Sequence, residues 1–241
     1  MNAWIIAAMM LLLLPGGSLP HKGSEGHRAT ESLSSQEQSG SVAGKVEIRA
    51  SAQLIKRERG GKYQSMPSMT EQDNREEKPS EQKNVIVYLE GPRPETSDSR
   101  ETARASMDQK NAVFYPHVLA VRKGTTVDFV NHDNTYHNVF SLSPVKRFNI
   151  GRRPTGEAVP VLFDKPGVVQ IFCDIHSQMT AFVVVLENPF FAQPSDDGTF
   201  KLDHIPPGTY TLKVWHERLA AADQKIVVTA GSTVRVNPVL E

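Results

Sequence analysis

Gly167-Val168-Val169-Gln170-Ile171-Phe172-Cys173-Asp174-Ile175-His176-Ser177-Gln178-Met179-Thr180-Ala181-Phe182-Val183-Val184-Val185-Leu186 reads as strand, tight loop, strand. Val168 to Cys173 and Ala181 to Leu186 are short apolar runs rich in β-branched and aromatic residues, the signature of buried strands. Asp164-Lys165-Pro166-Gly167 punctuates the first run as a turn. The loop between them carries a thiol, an imidazole and a thioether at C-x2-H-x2-M spacing. A tight loop leaving a strand can wrap three such side chains around one point.

Outward from this stretch the same pattern continues. Val113 to Tyr115 and Val118 to Val121 lead to a turn at Arg122-Lys123-Gly124. Thr125 to Asn131 alternates, with Val127 and Phe129 on one face, and Val159 to Phe163 is a further strand. A second β unit follows: Gly198 to Leu202, the turn Pro206-Pro207-Gly208-Thr209, Tyr210 to Trp215, Lys225 to Thr229 and Thr233 to Val236. Upstream, Val42 to Ala50 alternates and Asn84 to Pro92 is an apolar run closed by Gly91-Pro92. Short strands at regular spacing indicate an all-β sandwich or barrel. Arg57 to Lys83 reads as a long polar loop. Pro94 to Lys110 is polar as well, with room for a short helix.

The chain has 241 residues, with 27 basic and 27 acidic side chains. That length holds one large domain or two modest ones. The balanced charge offers no basic surplus for a nucleic-acid partner. Ala3 to Leu14 is an unbroken apolar run followed by Pro15-Gly16-Gly17-Ser18. It is shorter than the about 20 residues a membrane span needs and reads as a signal peptide over 1–19. The segment lacks a Lys or Arg before the run, so a membrane contact is expected only if it stays uncleaved. Residues 20–40 read as a flexible spacer. Export makes the single cysteine informative. With no second thiol to pair with, Cys173 is an inert buried thiol, an intermolecular bridge, or a reactive or ligating thiolate.

The residues around Cys173 point to ligation. The turn Asn131-His132-Asp133-Asn134-Thr135-Tyr136-His137-Asn138 follows another strand and offers a second imidazole. Two imidazoles and a thiolate with a weak axial thioether form the ligand set of a blue-copper electron-transfer site. Zinc is the rival metal for a His2Cys set, and the methionine in fourth place favours copper. His132 and His117 read as structural residues. His204 and Trp215-His216 lie in the other β unit. Val145, Phe148 and Ile150 are either an apolar collar near the donors or simply core.

The segment from about Met107 to Glu187 resembles a cupredoxin of the plastocyanin/amicyanin type. The resembling stretches are FYPHVLAVRKGTTVDFVNHD, HNVFS and PGVVQIFCDIHSQM. The resemblance implies a Greek-key sandwich over 105–187 holding one mononuclear copper ion that alternates between Cu(I) and Cu(II). It makes His137, Cys173, His176 and Met179 the metal ligands, and Asn138 an outer residue tying its strand to the cysteine loop. Ser177 stands where many members have Pro, and Thr180-Ala181 where many have Gly after the Met. The C-terminal DGTFKLDHIPPGTYTLKVWHE resembles the carboxypeptidase regulatory-like (transthyretin-like) sandwich, whose earlier strands look like Gly44-Lys45-Val46 and Val85 to Gly91. The implied arrangement is a smaller discontinuous sandwich, 41–92 plus 188–241, around the cupredoxin. It is similar to secreted proteins labelled methylamine-utilisation or plastocyanin-like.

These readings imply one-electron transfer in the periplasm or outside the cell, with one or more redox proteins as partners and His176 as the electron's exit. A copper carrier would share the ligands but need easy metal release. A structural or adhesion module would use the second sandwich instead. No enzyme is expected, because copper oxidases and nitrite reductases need further histidine clusters for a second copper centre.

Overall fold

The computed structural model describes residues 39–49, 81–93 and 103–241. The expected signal peptide (1–19), nearly all of the spacer (20–40) and the polar stretches 57–80 and 94–102 lie outside them. Within them the regular structure is β throughout except for one 3-10 turn, Glu81–Asn84. The expectation of an all-β sandwich fold therefore holds.

The strands sort into two sandwiches with separate cores. One, the donor sandwich, opens with β4 (Arg104–Lys110), β5 (Val113–Tyr115), β6 (Val118–Arg122) and β7 (Thr125–Asn131). It continues through β8 (Phe140–Ser141), β9 (Phe148–Asn149), β10 (Ala158–Phe163), β11 (Gly167–Phe172) and β12 (Thr180–Leu186). One sheet runs β10-β7-β4-β5 and the other β6-β12-β11-β8-β9. β7 lies between an antiparallel β10 and a parallel β4. Its Thr125, Val127, Phe129 and Asn131 are all buried while the residues between are partly exposed, the two-residue alternation of a strand with one face on the core. Met107, Phe129, Phe163, Ile171 and Val183 are at most 1% exposed in this core. Phe148 packs on Phe129 and Phe163 at ring-centroid distances of 5.8 and 6.2 Å. Val145, Phe148 and Ile150 are partly buried and pack against this core.

Residues 104–110 correct the expectation of a short helix. Arg-Ala-Ser-Met-Asp-Gln-Lys has little strand propensity. It is a strand because Met107 and Gln109, two apart, are both buried while the residue between them is not. Pairing with β7 and β5 supplies its backbone hydrogen bonds. Tertiary partners override the local composition here.

The flanking sandwich comprises β1 (Gly40–Lys45), β2 (Glu47–Ile48) and β3 (Ile86–Glu90) from before the donor sandwich. After it come β13 (Phe191–Ala192), β14 (Thr199–Ile205), β15 (Gly208–Trp215), β16 (Gln224–Val228), β17 (Thr233–Arg235) and β18 (Val239–Leu240). Its sheets are β13-β3-β15-β16, β14-β1-β17 and the pair β18-β2. Val42, Val87, Leu89, Leu202, Tyr210 and Leu212 form its core. Tyr210 donates from its hydroxyl to the Pro206 carbonyl at 2.9 Å.

Two strands are apolar on both faces, and the packing explains why. On β3, Val87 and Leu89 face the flanking core while Ile86 and Tyr88 face the other sandwich. On β12, Ala181, Val183 and Val185 enter the donor core while Phe182, Val184 and Leu186 meet β3 and Trp215. Each fully buried aliphatic side chain contributes about 1.5–3 kcal/mol, so this joint is a packed hydrophobic layer. Among the described residues no helix is long and apolar enough to cross a membrane.

Candidate metal centre

The site forms at one end of the donor sandwich, where two loops leave their strands. β11 ends at Phe172, so Cys173 is the first residue beyond it. The loop that follows closes on itself: Met179 donates its amide to the His176 carbonyl at 3.0 Å, and Cys173 donates to the Met179 carbonyl at 3.2 Å. Those bonds pin the neck of the C-x2-H-x2-M loop. Cys173 and Met179 are buried at 5% and 1% exposure and join the donor core, whereas His176 stays partly open.

His137 arrives from the opposite loop and is fully buried. Its backbone bridges Arg153, with His137 N–H to Arg153 O at 3.2 Å and Arg153 N–H to His137 O at 2.7 Å. Buried Asn131 shapes the turn before it. Its Nδ2 donates to the carbonyls of Thr135 (2.7 Å) and Arg153 (3.0 Å), and its Oδ1 accepts the Asp133 amide (2.9 Å). The turn presents the Asp133 carboxylate to His137: Oδ2 lies 2.8 Å from Nε2. The same carboxylate accepts the amides of Asn111 (2.6 Å) and Ala112 (2.8 Å). Both of those residues sit at positive φ in the β4–β5 turn. Burial pushes the Asp133 carboxyl upward, but the Ala112 amide, the His137 ring and the Asn111 amide outweigh it and hold the pKa below its usual value.

An imidazole that donates from Nε2 to Asp133 in its neutral form has its lone pair at Nδ1. His137 Nδ1 lies 3.1 Å from His176 Nδ1 and 3.9 Å from Cys173 Sγ. One donor atom from each of His137, Cys173 and His176 falls within 4.8 Å of the others. Metal bonds of about 2.0–2.1 Å to nitrogen and about 2.3 Å to sulfur reach a shared point from donors so spaced. The residues therefore fit a soft or borderline transition metal; a hard cation would demand oxygen donors. A carboxylate behind a ligating imidazole fixes its tautomer and ring plane.

The structure thus brings His137, Cys173 and His176 together and buries Met179 beside them. Asn138 is also buried, and its carbonyl accepts Gln109 Nε2 at 3.4 Å. Its Oδ1 is buried without a hydrogen-bond partner, so the tie to the cysteine loop implied by the resemblance is not made through that atom. Asp133 and Asn131 are the supporting residues that sequence reasoning passed over. The sequence signal for them is the Asx-type turn Asn131-His132-Asp133, ending four residues before His137. His132 points elsewhere, 3.5 Å from Asp108. His216 is buried in the flanking sandwich, where Nδ1 accepts the amides of Arg218 and Leu219 and Nε2 lies 3.0 Å from Glu81. His204 is exposed.

Comparison with known proteins gives partial likenesses. The family model described as polysaccharide lyase family 4, domain II, matches residues 181–236, which run from β12 of the donor sandwich to β17 of the flanking one. That differs from the carboxypeptidase regulatory-like resemblance of this region. No curated protein matches the chain. Among solved structures, a copper-containing nitrite reductase from Thermus scotoductus is 29% identical over 34% of this chain, at a TM-score of 0.33. The chain spans only 22% of that reductase's length. A purple cupredoxin from Nitrosopumilus maritimus is 24% identical, with 34% of this chain and 99% of that chain covered and a TM-score of 0.32. The reduced Cu(I) form of a proline-to-glycine mutant of amicyanin is 20% identical, covering 42% and 98%, at a TM-score of 0.33.

Proposed function

We propose that this protein is a type 1 copper protein that carries single electrons outside the cytoplasm. The observation that carries the reading is the convergence of a buried cysteine sulfur and two imidazole nitrogens, one of the imidazoles braced by a carboxylate. Copper bound by this set would supply one-electron chemistry by cycling between Cu(I) and Cu(II).

The chain's own residues do the rest. Cys173 and the two histidines enter from loops pinned by backbone hydrogen bonds, so the donors keep their positions in either oxidation state. Met179, buried in the same core as Cys173, would offer its thioether as a fourth, weak donor. Cys173 and Met179 are part of the buried apolar core of the donor sandwich, which keeps water from that side. His176, the partly open donor, is the electron's exit. The partner is a redox protein docking at that loop, and no enzymatic chemistry is part of this proposal. Residues 105–187 are read as a cupredoxin inserted into a discontinuous regulatory-like sandwich, 41–92 plus 188–241. The antiparallel pairing of β3 with β15 supports that reading. The apolar run at the N-terminus supports export.

The test is the visible spectrum of the purified chain with Cu(II). An intense blue charge-transfer band, bleached reversibly by ascorbate and absent from Cys173→Ser, is expected. A colourless complex, or copper lost on reduction, overturns electron transfer and favours a copper carrier.

A further inference from the structure

We propose that His117 is a positioning residue for the Met179 end of the ligand loop, and that Glu217 of the flanking sandwich clamps it. The proposal rests on the copper reading above and adds a role for the second sandwich in it.

The β6–β12 ladder begins at Val118 and Phe182, so Thr180 lies beyond its last rung on this side. His117, the residue before β6, takes hold there. Its Nδ1 lies 3.1 Å from the Thr180 carbonyl, while its own carbonyl accepts the Phe182 amide at 2.9 Å. His117 therefore grips β12 at Thr180 and at Phe182, on both sides of Ala181, the first grip being one residue past Met179. Its ring meets Phe182 edge-to-face at 5.7 Å, and Phe182 in turn packs on Trp215 at 5.3 Å.

The other ring nitrogen reaches across the joint. Nε2 lies 3.2 Å from Glu217 Oε1. Each ring nitrogen thus lies within hydrogen-bond distance of an oxygen, Thr180 O on one side and Glu217 Oε1 on the other, so rotating the ring away costs it a partner. Glu217 is itself anchored. It follows buried His216, whose Nδ1 accepts the Arg218 and Leu219 amides and whose Nε2 meets Glu81. Arg218 also pairs with Glu81 and lies 4.0 Å from Glu217. A chain of contacts thus runs from the flanking sandwich through Glu217 and His117 to Thr180.

That endpoint matters because the loop neck is narrow. Met179 both donates to His176 and accepts from Cys173, so a shift of its exit strand moves three of the four donors' anchor points. A weak axial thioether responds to small displacements, and it tunes the redox potential of such a site. The flanking sandwich is on this view an outer support of the metal loop.

Two measurements on the full-length chain test this. In the metal-free protein, His117→Ala and Glu217→Ala should speed amide hydrogen exchange at Met179 and Phe182 roughly fivefold to tenfold, the loss of about one hydrogen bond. In the copper-loaded protein the same variants should shift the reduction potential and the ratio of the visible bands. The double variant should add little to either single one, because the residues act in series. Glu217→Gln keeps an acceptor for the ring and should restore most of the wild-type spectrum. Wild-type exchange, potential and bands in folded His117→Ala overturn the inference alone. Lower thermal stability with an unshifted potential also overturns it, leaving His117 a merely structural residue. A wild-type chain that forms no blue complex overturns the copper reading itself, whereas the exchange experiment still reports whether His117 holds the loop.

Discussion

Asp133 Oδ2 lies 2.8 Å from Nε2 of fully buried His137, and the same carboxylate accepts two backbone amides from the β4–β5 turn. One short acidic side chain thereby connects a hairpin turn to one of the three converging side chains. Asp133→Ala should weaken copper binding by roughly 10- to 100-fold, the usual cost of losing such an outer-shell partner. Competition against a chelator of known affinity measures this. Unchanged affinity would mean that packing alone orients the His137 ring.

Met179 is buried against the donor core and forms the loop's neck through its backbone. Met179→Leu keeps the backbone bonds and the apolar volume but removes the thioether. The blue band should persist, since the thiolate generates it, and the reduction potential should rise as a donor to Cu(II) is lost. Voltammetry decides. A potential equal to wild type would show that the sulfur does not act as the axial ligand.

Met107 is fully buried on β4. Met107→Ala should cost about 2–5 kcal/mol of unfolding free energy in denaturant titration, as for other buried methionines. A loss near zero would be incompatible with a core strand at 104–110.

Gly44 on β1 has no room for a side chain. A Cβ there would lie 1.6 Å from the backbone oxygen of Val236. Gly44→Ala should force β1 away from the 236 segment and lower the unfolding temperature of the flanking sandwich strongly. Ala43→Gly, the neighbouring change in the opposite sense, should cost only about 0.5–1 kcal/mol.

Acid should loosen the flanking sandwich. Burial lowers the His216 pKa below its ordinary 6.5, against the attraction of Glu81. The unfolded chain therefore takes up this proton first, and stability falls as the pH drops below about 6.5. Glu217 is shifted down from 4.5 by its hydrogen bond to His117, against burial. Its contribution is complete above 4.5 and is lost as the pH falls through its lowered folded value. Thermal melts from pH 8 to pH 3 should decline in these two windows. His216→Gln should flatten the upper one, and a melt curve identical to wild type would remove His216 as its cause.

The β character of the chain and three of the converging donors were legible in the residues. The two-residue alternation of Thr125 to Asn131 and the apolar runs flanking Cys173-Asp174-Ile175-His176-Ser177-Gln178-Met179 are local signals, because each depends only on side chains adjacent along one strand. Local pattern also marked Asn84 to Pro92 and Ala181 to Leu186 as buried, but not by what. Only the tertiary structure decided that their second faces meet each other. β4 was illegible because its strand state comes from pairing with β7, not from its own composition. His117 was illegible as a support for the same reason, since Thr180 and Glu217 lie 63 and 100 residues away in sequence. Asp133 is four residues from His137 and was within local reach, but the Asn111 and Ala112 amides that hold its carboxylate lie 22 and 21 residues away. The sequence determined which atoms can bind a metal, since donor chemistry is a property of the residue. The fold decided which of them meet and what holds them, since a hydrogen bond exists only where the chain has already brought both ends together.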